Sequence, residues 1–214
     1  MPDAAADAMS PAFNPHDRAI WNRLFANVPP DWRTAPPSSA MVECREFLLR
    51  SEVKSVLDLG CGVGRWAMYL ARLGLQVSGS DFAENGLRYA EEWACAEGVR
   101  LRLSCCPITE APFPGERFHA VVAALVLDNV TREQTIAGIE CIRASLAANG
   151  VVFALFNPAA VCDDSPEAED NPTRGITQTQ YADEERMAGF EGFTILDFRR
   201  YELGTRGLFL RRGA

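Results

Sequence analysis

The sequence predicts an α/β protein: a mostly parallel, seven-stranded sheet with helices on both faces, a C-terminal antiparallel hairpin and an N-terminal helical cap. Three observations carry this. From Val53 onward, short β-branched or aliphatic runs alternate with stretches of helical spacing. The last two runs, near 193–201 and 205–211, are too close for a crossover, so they pair antiparallel. Before Val53 the apolar spacing is helical and is broken by Pro29, Pro30, Pro36 and Pro37.

Taken in order, residues 1–14 are rich in Ala, Asp and Pro and are expected to fray. Residues 16–27 place Ile20, Trp21 and Leu24 near one helical face. Ser38 or Ser39 then caps a second helix running to Arg50, whose apolar side comes from Met41, Val42, Phe47, Leu48 and Leu49. Residues 15–50 thus form the cap. The core, 51–157, reads as strands near 54–59, 75–80, 99–104, 118–125 and 150–157, with helices near 63–73, 84–97 and 131–147. A further helix is expected near 180–188. The stretch 158–180 carries Asp163, Asp164, Glu167, Glu169 and Asp170 with Pro166 and Pro172. It leaves the end of a parallel strand, the edge where open α/β sheets bind ligands. It therefore reads either as a solvated acidic loop or as a flap. Both it and the Pro-punctuated segment 15–37 are expected to order only over a ligand. The whole, 1–214, reads as one domain.

Composition narrows the partners. With 214 residues, 48% hydrophobic, the chain can bury a sizeable core without disulfides or structural metal. A net charge of −8 repels phosphate backbones and disfavours nucleic acid. The longest apolar run, Ala120 to Leu127, is less than half of the ~20 residues a bilayer requires, so no membrane partner is expected. Residues 1–12 lack the apolar stretch of a signal peptide, and a cytoplasmic location is expected. The seven cysteines include no CxxC spacing, and His16 and His119 do not cluster with them, so no metal site is expected. Adjacent Cys105 and Cys106 read as small packed thiols in preference to a soft-metal site. A small molecule is the expected partner; the oligomeric state is open.

The strongest local signal is Val56-Leu57-Asp58-Leu59-Gly60-Cys61-Gly62-Val63-Gly64-Arg65-Trp66, a hydrophobic strand entering three alternate glycines before a helix. Such glycines permit a tight turn, close approach of a ligand to the backbone and close helix-to-strand packing. A dinucleotide prefers GxGxxG. Here the spacing is GxGxG, and the carboxylate of Asp58 before the turn would repel a diphosphate and welcome a cationic amino acid. The second strand ends at Asp81, suitably placed to accept hydrogen bonds from ribose hydroxyls. S-adenosylmethionine, with an ammonium, a sulfonium and a ribose but no phosphate, fits better than NAD.

With these residues in view, the chain resembles the class I S-adenosylmethionine-dependent methyltransferases, of the small type acting on diffusible molecules, over roughly 53–157. The resemblance implies a Rossmann-like fold and S-adenosyl-L-methionine as cofactor. It implies that Asp58, Gly60, Cys61, Gly62, Gly64 and Arg65 hold the methionine end, and that Asp81 and Phe82 hold the ribose and adenine. Pro107 stands where the family's D-x-x-x-x-P-F segment begins, leaving Cys106, Pro107, Ile108 and, across the sheet, Ala124 to complete the site. His119 replaces the Asp of F-D-x-V, and Leu146 to Gly150 replaces L-K-P-G-G.

Methyl transfer from a sulfonium requires alignment and exclusion of water more than a triad. Candidate catalytic groups sit after the fourth strand, Asp128 and Asn129. Candidate acceptor contacts are Trp21, Asn157 and Tyr181, and Trp32 is a further candidate cover. The expected reaction delivers a methyl group to O, N or S of a small organic molecule. The alternative is a non-catalytic cofactor-binding protein, motivated by Pro107, His119 and the altered 146–150 turn.

Overall fold

The computed structural model describes residues 13–158 and 175–213. Two helices open the chain, α1 (Pro15–Phe25) and α2 (Ser39–Arg50), joined through a 3-10 turn at Pro30–Arg33. The core then alternates β1 (Ser55–Leu59), α3 (Arg65–Ala71), β2 (Gln76–Asp81), α4 (Glu84–Ala96), β3 (Arg102–Cys105), β4 (Phe118–Ala124), α5 (Arg132–Ser145) and β5 (Leu146–Phe156). It closes with α6 (Asp183–Ala188), β6 (Phe193–Arg200) and β7 (Arg206–Arg212). The sheet order is β3-β2-β1-β4-β5-β7-β6. Strands β1 to β5 pair in parallel, and β7 pairs antiparallel with both β5 and β6. The predicted fold class is the one observed.

Alternation along the strands divides the core into two layers. Leu57, Leu59, Val121, Ala123, Val152 and Ala154 pack on one face against Ile139 and Ile142 of α5. Val56, Ala120, Val122, Val151 and Phe153 pack on the other against Cys44, Phe47 and Leu48 of α2 and Leu70 of α3. Because a strand turns every second side chain to the same side, Asp58 is delivered to the α2 and α3 face, where it is 1% exposed. A charged residue buried in a sheet's apolar layer carries a desolvation cost, and its position under the glycine turn marks the site.

Several boundaries differ from expectation for local reasons. Asn14 caps α1 by accepting from His16 N, and Phe13 stacks on Phe82 with ring centroids 5.0 Å apart, so order begins before residue 15. Leu146–Gly150, expected as the end of a helix and a turn, is the start of β5. Leu146 pairs with Phe118, the register then slips before Ala120 meets Val151, and Asn149 adopts φ +59° within the irregularity. Of the acidic segment 158–180, residues 159–174 lie outside the described residues, as do 1–12. Within the cap, α1 is seated on α4 and on the chain after Gly175: Asn85 donates two hydrogen bonds to Asn22, and Thr177 donates to Asp17. Among the described residues, no helix is long and apolar enough to cross a membrane.

Candidate functional site

The three glycines do different work at the C-terminal end of β1. All are left-handed, with φ of +73° at Gly60, +53° at Gly62 and +81° at Gly64. A Cβ at Gly60 would lie 2.3 Å from Val126 Cγ2, and one at Gly64 2.7 Å from Ala90 Cβ. Gly60 and Gly64 are therefore required by packing as well as by backbone sterics. The loop is sewn to β2 by Gly60 N and Cys61 N, which both donate to Ser80 O at 2.8 and 2.9 Å.

Asp81 ends β2 and organises the other wall. Its Oδ2 accepts from Gly62 N and its Oδ1 from Ala83 N, each at 2.8 Å. Each oxygen retains a lone pair for a further donor. Burial pushes its carboxyl up to about 6 despite those backbone donors. Burial does the same to Asp58, raised to about 7, with bonding at Ala67 opposing and the charge of Asp81 adding to the shift. Asp58 Oδ2 is buried with no hydrogen-bond partner. Among the described residues, no cationic side chain pairs with either carboxylate.

Between these walls lies a cleft of about 430 Å³. Of the expected cofactor residues, Gly60, Cys61, Gly62, Arg65, Asp81, Phe82, Ile108 and Ala124 line it. Asp58, Gly64, Cys106 and Pro107 do not: Asp58 is buried in the sheet's layer, Gly64 caps α3 against Ala90, and Cys106 N donates to Asp81 O. Arg65 reaches out of the cleft to Pro36 O at 2.9 Å.

The catalytic and acceptor candidates separate. Trp21, Asn129 and Asn157 line the cleft. Asn129 Nδ2 donates to Leu125 O at 2.6 Å, and its Oδ1 accepts from Gln178 at 3.3 Å. Asp128 does not reach the cleft. It is 4% exposed, and its carboxylate accepts from Asn157 N at 2.6 Å and Asn157 Nδ2 at 3.1 Å. Its carboxylate holds Asn157, which lines the cleft, in place. Tyr181 is likewise displaced: it is buried, its hydroxyl donates to Thr135 Oγ1 at 2.8 Å, and Arg132 lies over its ring.

Sequence reasoning missed much of the cleft wall, namely the apolar Phe13, Phe25, Val63, Trp66, Leu125, Val126, Val130 and Ile176 and the polar Gln178. Leu125 and Val126 had a signal, since they follow the fourth strand at the same sheet edge as the glycine turn. Phe13, Phe25, Ile176 and Gln178 had none, because they arrive through long-range docking of α1 and of the chain after Gly175.

His119, which departs from the resembled pattern, has a structural role at the opposite end of β4. Its Nδ1 lies 2.7 Å from Ser55 Oγ, and Ser55 Oγ in turn accepts from His119 N. No group of three or more His, Cys, Asp or Glu side chains suited to a metal ion occurs among the described residues.

Comparison with known proteins follows the same lines. Residues 56–150 match the family described as a methyltransferase domain. The chain is 34% identical over 117 residues to a ubiquinone biosynthesis O-methyltransferase of Methylobacterium nodulans, covering 52% of this chain and 46% of that protein. It is 33% identical over 79 residues to TehB of Haemophilus influenzae, a probable S-adenosyl-L-methionine-dependent methyltransferase, covering 37% and 27%. The chain thus spans less than half the length of these curated relatives. Among solved structures, the N-methyltransferase NodS of Bradyrhizobium japonicum superposes with a TM-score of 0.70 at 18% identity, over 92% of this chain and 99% of that one. Magnesium protoporphyrin IX methyltransferase of Synechocystis, with bound SAM, gives 0.67 at 19%, over 95% and 99%. At these identities the likeness is one of fold.

Proposed function

We propose that the chain is a class I S-adenosylmethionine-dependent methyltransferase, in line with its match to a methyltransferase-domain family and its relatives, and that it transfers a methyl group from that cofactor to O, N or S of a small organic molecule. The observation that carries this is the pair of buried carboxylates at the glycine turn without a paired cation: Asp58, with an orphaned oxygen, and Asp81. A ligand bearing ammonium and sulfonium charge relieves both, whereas a diphosphate would add repulsion in a low-dielectric site. When bound, S-adenosylmethionine supplies a methyl carbon already activated by its sulfonium.

What remains for the protein is to bind, align and keep dry. Asp81 has lone pairs to accept ribose hydroxyls while its backbone bonds hold Gly62 in place. The glycine turn lets a ligand approach the main chain. Phe13, Trp21 and Phe25 exclude water on the cap side. Asn129 and Asn157, each fixed by its own hydrogen bonds, line the side from which an acceptor enters. Holding reactants in line in this way is worth as much as ~7–11 kcal/mol of the barrier. Asp81 is the one carboxylate among the described cleft residues, and its place at the glycine turn, bonded to Gly62 N and Ala83 N, supports a role in cofactor binding. Asp128 acts as a positioning residue through Asn157. The same reading places the protein in the cytoplasm, where the free thiols of Cys44, Cys61 and Cys141 stay reduced.

Calorimetry with S-adenosylmethionine, S-adenosylhomocysteine and NAD tests the cofactor. Both sulfur nucleosides should bind and NAD should not; tight NAD binding with no heat from either nucleoside would overturn the assignment. Label from the methyl group appearing in a low-molecular-weight fraction of cell extract would separate an enzyme from a non-catalytic binder.

A further inference from the structure

Beside the cofactor cleft lies a second cavity of about 470 Å³, comparable in size to the cleft itself. It is formed by the C-terminal end of α1 and the turn that follows. Leu24, Phe25, Val28, Pro29 and Trp32 give it apolar walls, and Arg23 is the one charged side chain lining it. Phe25 and Trp32 line both cavities. Phe25 also rests on the glycine turn: a Cβ at Gly62 would come 3.0 Å from its Cζ, and one at Gly86 2.9 Å from its Cδ2. Trp21 supports it with ring centroids 5.3 Å apart. Trp32 remains 39% exposed, large for a tryptophan next to an apolar groove.

Volume decides what the groove is for. Sites for drug-sized ligands span roughly 300–1,000 Å³, so the 430 Å³ cleft suits one such ligand, the nucleoside cofactor. An acceptor must bring its nucleophile into that cleft while its remaining bulk lies elsewhere. The adjoining space on the other side of Phe25 and Trp32 is walled mainly by apolar side chains, and an unpartnered charge buried there would have Arg23 as its one charged neighbour in the lining. We infer that this groove holds an apolar extension of the methyl acceptor, an alkyl or aryl tail, with Phe25 and Trp32 dividing it from the cofactor and setting the depth to which the acceptor inserts. This rests on the methyl-transfer reading for the identity of the occupant, and on the groove's own walls for its chemistry.

The test uses the full chain saturated with S-adenosylhomocysteine and titrated with 4-ethyl-, 4-butyl-, 4-hexyl- and 4-octylphenol, followed by calorimetry and tryptophan fluorescence. Affinity should rise up to about fourfold per added methylene, the worth of burying it, until the groove is full. Val28→Asp should flatten this dependence, and Val28→Trp, which fills the groove with an apolar ring, should cut it off at a shorter chain. In both variants S-adenosylhomocysteine affinity should stay within twofold of the parent value. Affinity indifferent to chain length, or an unchanged slope in both variants, would overturn the inference. If S-adenosylhomocysteine does not bind, the methyl-transfer reading falls. The same alkylphenol series on the ligand-free chain then judges the groove by the same slope.

Discussion

Asp81 shows how one side chain can serve both loop and ligand. Asp81→Ala removes the side-chain acceptors of two backbone N–H groups, Gly62 and Ala83, along with any ribose contact. Cofactor affinity should fall by roughly 1.5–3 kcal/mol, the range for hydrogen bonds to a charged group, read by calorimetry; an unchanged affinity would place the ribose elsewhere. Proton linkage supplies a second readout. Asp58 and Asp81 are raised to about 7 and about 6, so the fold prefers them protonated. Their contribution to stability is full below the unfolded carboxylate range near ~4 and is lost as pH rises through 6 to 7. A cationic ligand prefers them ionised, so its binding should strengthen over that same window and release protons at pH 6 but not at pH 8. Calorimetry in buffers of differing ionisation enthalpy would measure the release, and its absence at pH 6 would refute the coupling. Glycines offer a contrast. Gly74 is left-handed with open space around its missing Cβ, while Gly60 meets Val126. In denaturant melts, Gly74→Ala should cost about 1–2 kcal/mol of backbone strain, and Gly60→Ala should cost more and weaken cofactor binding as well.

At the level of elements, legibility followed the source of the stabilisation. Strands β1, β4 and β5 were legible because burial on both faces forces near-continuous apolar runs, and the glycine turn because left-handed φ selects glycine. The junction of α5 and β5 was not. Leu146 satisfies a helical spacing as well as a strand, and only pairing with Phe118 decides for the strand. Tyr181 shows the same limit: a tyrosine near a ligand edge reads as functional until Thr135, distant in sequence, claims its hydroxyl. The start of α5, by contrast, was written locally. Thr131 Oγ1 accepts from Gln134 N at 3.3 Å and Gln134 Oε1 accepts from Thr131 N at 3.0 Å, a reciprocal capping box. Thr131→Ala should therefore cost about 1 kcal/mol in denaturant melts with cofactor affinity preserved, since Thr131 lies outside the cleft lining. A loss of affinity instead would mean that α5 governs the neighbouring Asn129 and Val130 wall.

For the whole molecule the question is whether the cap waits for the ligand. Proline spacing suggests that 15–37 orders only over a bound cofactor, whereas the contacts of α1 with α4 and with the chain after Gly175 offer another source of order. Asn85 N donates to Asn22 Oδ1 at 2.9 Å, Asn85 Nδ2 donates to Asn22 O at 2.8 Å, and Thr177 Oγ1 donates to Asp17 Oδ2 at 2.7 Å. The Arg18 to Glu84 pair is solvent-exposed and adds little. Phe25 then closes α1 onto the glycine turn, so the cap and the cofactor loop share one contact surface. At about 0.5–1.5 kcal/mol per hydrogen bond, the asparagine pair alone contributes enough to slow local opening by roughly five- to hundredfold. Hydrogen exchange in the ligand-free chain should therefore find amides of α1 protected. Asn22→Ala, which removes the Oδ1 acceptor but keeps the backbone O, should accelerate exchange in α1 by roughly two- to tenfold, the worth of one such bond, while leaving β1, β4 and β5 unchanged, because their protection comes from the sheet. Exchange in α1 at the rate of an unfolded peptide, slowed only when S-adenosylhomocysteine is added, would establish ligand-gated closure and assign the cap's order to the cofactor instead of to α4.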